Sequence, residues 1–154
     1  LCPDRERQGI AMPYEYLEDV AVADIAFRAW GAELEEVFAA AAEATTKVMA
    51  EALAAIRPLE TREVELRSKE PDLLLFDFLQ ELVYFKDAER LLLLVDEIRI
   101  AAEGDGLLLA ATLRGERIDQ DRHILRADVK AVTLHRFSLV RTSRGWEATV
   151  VLDI

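Results

Sequence analysis

A chain of 154 residues can bury one core without disulfides or metals, and at 52% hydrophobic and 32% charged residues it has the composition of a folded globular domain. Thirty acidic against nineteen basic side chains leave a net charge of −11, which repels phosphates over a broad face, excludes tight nucleic-acid binding by the chain alone, and suits a basic protein partner. Cys2 is the only cysteine, which excludes an internal disulfide and a cysteine-built metal site.

The leucine-rich runs Leu73–Phe76 and Leu91–Val95 fall far short of the ~20 residues that span a bilayer, and no basic start followed by an apolar core marks a secretory leader. A cytoplasmic protein with no membrane association is expected. Residues 1–11 show no periodicity, and Asp4 and Glu6 cancel Arg5 and Arg7. They read as an N-terminal extension outside the fold, disordered or appended ahead of Met12, which leaves residues 12–154 as a single domain.

Two strands are predicted first, over Tyr14–Asp19 and Asp24–Gly31; in the second, Ile25, Phe27 and Ala29 alternate with Arg28 and Trp30. Gly31 permits a sharp turn into a helix over Glu33–Ile56, where Leu34, Phe38, Ala41, Thr45, Val48 and Ala52 recur three and four apart. Its alanines favour helix and leave a slim face for close packing. Glu33, Glu35 and Glu36 suit the positive end of the helix dipole. Pro58 stops the helix, and Glu63–Ser68 alternates charged residues with Val64 and Leu66 as a half-exposed strand.

The segment around which the chain is organised is the helix predicted over Asp72–Glu89, in which Leu75, Leu79, Leu82 and Val83 form a stripe widened by Phe78 and Phe85. An alternating run begins at Ile98 and Ile100, reverses at Gly104-Asp105-Gly106, and returns through Leu107, Leu109, Ala111 and Leu113. Gly115–Arg126 is polar and irregular. Val129–Arg141 resumes strand character, and after a turn at Ser143-Arg144-Gly145 a last strand covers Trp146–Ile154. The expected fold is α+β, a mostly antiparallel β-sheet with two long helices packed on one face.

The familiar enzyme signatures are absent: no GxGxxG, phosphate-loop lysine, HExxH or GxSxG stretch occurs. His123 and His135 are the only histidines and show no ligand spacing. Asp24 opens one strand while Asp153 and the Ile154 carboxylate close another, a set of hard oxygens of the type Ca²⁺ or Mg²⁺ takes. On spacing alone the signal is weak, because carboxylates at strand ends are most often simply solvated.

Several dispersed stretches, YEYLEDVAVADIAFRAWG (Tyr14–Gly31), LLLFDFLQELVYFKD (Leu73–Asp87), GERIDQDRH (Gly115–His123), VKAVTLHRF (Val129–Phe137) and the terminal WEATVVLDI, together resemble the archease family in the same order. The family's first motif is His-Thr-Ala-Asp; this chain has Ala21-Val22-Ala23-Asp24, keeping the Ala-Asp pair and losing the histidine and threonine. The resemblance implies a small α+β protein that assists the GTP-dependent RNA ligase of tRNA splicing, promoting its guanylylation and repeated turnover rather than acting as an enzyme. It also implies a divalent metal, calcium in the family, held by positions matching Asp24, Asp153 and Ile154. Asp119 and His123 are candidates for the same edge or for a partner-facing surface. Two other functions stay open: a chaperone or modulator of a tRNA cytosine methyltransferase, and a metal-assisted phosphohydrolase using the same carboxylates with a histidine as proton carrier.

Overall fold

The computed structural model describes residues 13–17 and 24–154. In chain order these form β1 (Tyr14–Leu17), β2 (Asp24–Gly31), α1 (Leu34–Met49), β3 (Glu60–Ser68), α2 (Pro71–Glu89), β4 (Leu91–Glu103), β5 (Gly106–Arg117), β6 (Ala131–Thr142) and β7 (Gly145–Asp153). The expected extension at residues 1–11 and the end of the first predicted strand, Glu18 and Asp19, lie outside the described residues.

The α+β class, the antiparallel strands and the two long helices are as expected, with one difference. The strands divide into two sheets, ordered β1-β2-β7-β6 and β3-β5-β4, and the helices contact both. Helix α1 packs on β2 and β7 of the first sheet and on β4 of the second; α2 packs on β6 and on β3 and β4. This explains why α1 is buried almost all round, from Val37, Phe38 and Ala41 to Ala44, Thr45, Val48 and Met49. Small alanine side chains let backbone approach on both sides where a one-sided amphipathic helix would leave a polar stripe. Phe38 and Phe78, both fully buried, meet at a centroid separation of 6.0 Å and join the two helices.

Side chains from the helices also blunt two sheet edges. The Thr46 hydroxyl donates to the Leu93 carbonyl at 2.9 Å and the Ile100 N–H donates to Glu35 Oε2 at 3.2 Å, so α1 caps the outer edge of β4. The Val132 N–H donates to Gln80 Oε1 at 3.0 Å, so α2 does the same for β6. The remaining edges are the short β1 and the charge-rich β3, both features that discourage pairing with other chains.

Helix α1 stops at Met49, seven residues before the predicted Ile56. Ala50 is extended and bridges Leu125, while Arg126 and Ala127 N–H groups donate to the Met49 and Val48 carbonyls at 2.9 and 3.1 Å. Tertiary partners therefore take over the helix-terminal carbonyls, and that outweighs alanine's helix preference. Strand β4 begins at Leu91, ahead of the predicted alternation. Leu91, Leu92 and Leu93 are all buried, so that part of the strand is covered on both faces and shows no period of two.

Candidate functional site

Strands β2 and β7 pair antiparallel in a register that sets Asp24 directly opposite Asp153. On the inward face the pairs Phe27–Val150 and Ala29–Ala148 are buried against the helices. Two-residue periodicity then turns Asp24 and Asp153 to the face away from the helices, with Ala26–Val151, which is also buried, and Arg28–Thr149. Directly opposed residues have Cβ atoms about 4.5–5.5 Å apart, near enough for one cation to touch both carboxylates.

Asp153 is also aligned with Ala131 of β6, and the Lys130 N–H donates to its carbonyl at 2.8 Å. Ile154 is half-buried and packs against the core, which anchors the segment beyond β7. Among the described residues neither aspartate has an ion-pair partner, in contrast to Arg28 on the same face, which pairs with Glu15 at 3.2 Å and Glu147 at 2.9 Å. No group of three or more His, Cys, Asp or Glu side chains able to hold a metal occurs among the described residues. Asp24 and Asp153 bring two side-chain carboxylates together, with Ile154 next in the chain, and oxygen donors of this kind suit a hard divalent cation.

Asp119 and His123 do not join this pair. Asp119 is exposed beside Arg57 and Glu60, in an open groove with Gln120. His123 is only 4% exposed and faces inward. Its Nδ1 accepts the Asp119 N–H at 2.9 Å, which leaves the ring proton on Nε2, and Nε2 donates to Glu116 Oε2 at 2.9 Å. Glu116, equally buried, also accepts the Arg57 N–H at 2.8 Å and ion-pairs with Arg122. Burial alone would push this carboxyl up; hydrogen bonds from the Arg57 N–H, Arg122 and His123 overcome that and hold it at about 2. The network ties the segment after α1 to the loop after β5. His135 is exposed in the irregular stretch of β6.

Sequence reasoning missed Glu116. The available signal was indirect: it lies opposite Leu92 in the β4–β5 ladder, in the aliphatic run whose lack of alternation already marks both faces as covered. It missed Lys86 as well, a buried ammonium that closes α2 by pairing with Asp87 at 2.6 Å and with Asp128.

Residues 14–154 match the profile of the Archease protein family. The chain belongs to that family. The protein archease of Methanothermobacter thermautotrophicus is 38% identical over 132 residues, covering 86% of this chain and 93% of that protein. The Pyrococcus abyssi protein archease is 35% identical over 142 residues, 92% and 98% of the two chains. The solution structure of a Methanobacterium thermoautotrophicum protein superposes with a TM-score of 0.81 at 35% identity, covering 94% of this chain and all of that one. A Thermotoga maritima crystal structure described as an archease and possible chaperone shares the fold, with a TM-score of 0.62 at 22% identity over 87% and 93% of the two chains. Ala21 and Val22, where the sequence departs from the motif that the resemblance implies, lie outside the described residues. No helix among the described residues is long and apolar enough to cross a membrane.

Proposed function

We propose that this protein is a non-enzymatic activator of the GTP-dependent RNA ligase that joins a 3′-phosphate or cyclic phosphate end to a 5′-hydroxyl in tRNA splicing. The observation that carries this reading is the opposed pair Asp24 and Asp153 at the outward end of β2 and β7, with no cationic side chain paired to either among the described residues. Like charges directly across an antiparallel pair are unfavourable, which favours a role as ligands over a role as solvated strand ends. Asp24, Asp153 and the Ile154 carboxylate would hold a divalent cation, Ca²⁺ on the family's pattern. Bound there, the ion would neutralise and orient phosphates at the ligase's nucleotide pocket.

The rest is supplied by the chain's own residues. The Lys130 N–H fixes the Asp153 backbone, packing of Ile154 fixes the segment beyond it, and the buried pairs behind β2 and β7 hold both aspartates on one face. The acidic surface favours a salt-sensitive complex with a basic partner.

The test is to mix the protein, below stoichiometry, with its cognate ligase, GTP, Mn²⁺ and RNA ends. Ligation should pass from one turnover to many, and the protein alone should leave RNA and GTP intact. A ligase still limited to one turnover refutes the activator reading, and hydrolysis by the protein alone favours the phosphohydrolase. Calorimetric titration with Ca²⁺ examines the site separately: Asp24→Asn, Asp153→Asn and a C-terminal tag each remove a ligand charge and should weaken binding. Equal affinity in all three and in the unmodified chain would eliminate the site.

A further inference from the structure

A second feature shares the segment that leads to Asp153. Between the C-terminal ends of α1 and α2 lies a pocket of about 290 Å³ with an apolar floor of Met49, Leu92, Ile118 and Leu125. Two arginines, Arg90 and Arg126, line it without a close ion pair or side-chain hydrogen bond among the described residues, although the Arg90 charge helps hold the Asp128 carboxyl below its ordinary range and Arg126 acts on the Tyr16 phenol. The third cation of the lining, Lys86, is already satisfied by Asp87 and Asp128.

Arg90 carries a further mark. It is the C-cap of α2 at φ 58° and ψ 40°, a left-handed conformation that glycine adopts freely and other residues adopt at a penalty. A long cationic side chain at that position projects from a fixed backbone: its own N–H donates to the Lys86 carbonyl at 3.0 Å and its carbonyl accepts the Ile118 N–H at 2.8 Å.

We propose that this pocket receives an acidic, aliphatic segment of a protein partner, with one carboxylate on Arg90 and Arg126 and a neighbouring leucine- or isoleucine-like side chain on the apolar floor. The inference rests on the reading of the chain as an activator that engages another protein. Planar guanidiniums match a carboxylate in geometry as well as charge. A phosphate dianion is less suited, because Asp87 and Asp128 stand in the same lining and repel a second negative charge. A nucleotide base is also disfavoured, since the lining contains no aromatic side chain. Ile124, 61% exposed beside Leu125, extends the apolar surface outward. The wall at Arg126, Ala127 and Asp128 leads directly to Lys130 and its bond to Asp153, so a segment seated here would orient the partner against the carboxylate pair. An overall acidic surface with one basic pocket specifies a single docking orientation better than charge alone would.

The experiment is an amide-resolved NMR titration of the full chain with acetyl-Leu-Glu-Leu-amide, alongside acetyl-Leu-Gln-Leu-amide and inorganic phosphate. Shifts induced by the glutamate peptide should centre on Met49, Leu92, Ile118, Leu125 and Ala127. Loss of the charge-assisted contact should weaken binding roughly tenfold for the glutamine peptide, and as much for the glutamate peptide on Arg90→Gly/Arg126→Gln. Glycine suits the backbone at residue 90, so that variant keeps its fold. Equal binding of the two peptides, a response to phosphate alone, or no response at these amides would each overturn the proposal. Shifts that follow protein concentration without peptide would also overturn it, in favour of a second copy of this chain. The titration contains no ligase, so its failure leaves the activator reading standing, and a silent ligase assay does not empty a filled pocket.

Discussion

Replacing Glu116 with glutamine tests whether the buried network around His123 holds two loops to the sheet. The carboxylate is almost fully buried and accepts the Arg57 N–H at 2.8 Å, His123 Nε2–H at 2.9 Å and the Arg122 guanidinium on one oxygen, with Arg57 Nε at 3.3 Å on the other. A glutamine must place an NH₂ where one of these donors points, and it removes the countercharge of Arg122. Arg57 and Arg122 are partly exposed and recover some solvation, so the loss belongs at the lower end of the range for breaking a buried ion pair, about 3 kcal/mol. Linkage gives a similar size: a carboxyl lowered from 4.5 to about 2 by folding contributes about 3 kcal/mol at neutral pH. Because the folded value is the lower one, that stability is fully present above pH ~4.5 and disappears as pH falls toward ~2. Thermal unfolding followed by circular dichroism should show Glu116→Gln melting about 6–12 °C below the unmodified protein at pH 7, with the gap closing between pH 4.5 and 2. A variant that melts with the unmodified protein at pH 7, or a gap unchanged down to pH 2, would refute the reasoning.

Gly115→Ala should abolish stable folding, since a Cβ there would sit 1.8 Å from the Leu92 carbonyl oxygen, a backbone atom that cannot swing aside; solubility and proton NMR dispersion report it. At α2, Lys86→Met should cost only about 1 kcal/mol in chemical denaturation, because Asp87 and Asp128 are exposed enough to return to water. The reverse change, Asp87→Asn/Asp128→Asn, leaves the buried ammonium unpaired and should cost about 3 kcal/mol; equal losses in the two variants would contradict that asymmetry.

Much of the fold was legible because burial imposes a period. Leu109, Ala111 and Leu113 alternate inward on β5 as expected, and Leu75, Phe78, Leu79 and Leu82 mark the buried stripe of α2. Features set by tertiary contact were not legible. Nothing local to Ala50 says that it will bridge Leu125. The split into two sheets escaped notice for a related reason: a helix buried on two sides and one buried on a single side differ in how wide the apolar surface runs, and the alanines of α1 blur that width. At the candidate site, strand ends could be placed from alternation, but the β2–β7 register that opposes Asp24 to Asp153 is a long-range fact. The burial of His123 was hidden as well, since its partner Glu116 sits in a stretch that reads as irregular and polar.

The opposition of Asp24 and Asp153 also bears on whether the fold depends on a cation. Facing like charges in an antiparallel pair cost roughly 0.2–1 kcal/mol. Behind them, on the same two strands, Phe27, Val150 and Leu152 are fully buried, and each such side chain contributes about 1.5–3 kcal/mol. The apolar face therefore outweighs the repulsion several-fold, and the strands hold their register with no ion between the carboxylates. This is the opposite of a small zinc domain, in which metal binding and folding are one event. A donor pair set by the core would keep its geometry in the absence of an ion, so a measured cation affinity would report the site and not the folding of the chain. In the proposed activator role, release of an ion would leave β2, β7 and the Lys130 contact unchanged and ready for the next encounter.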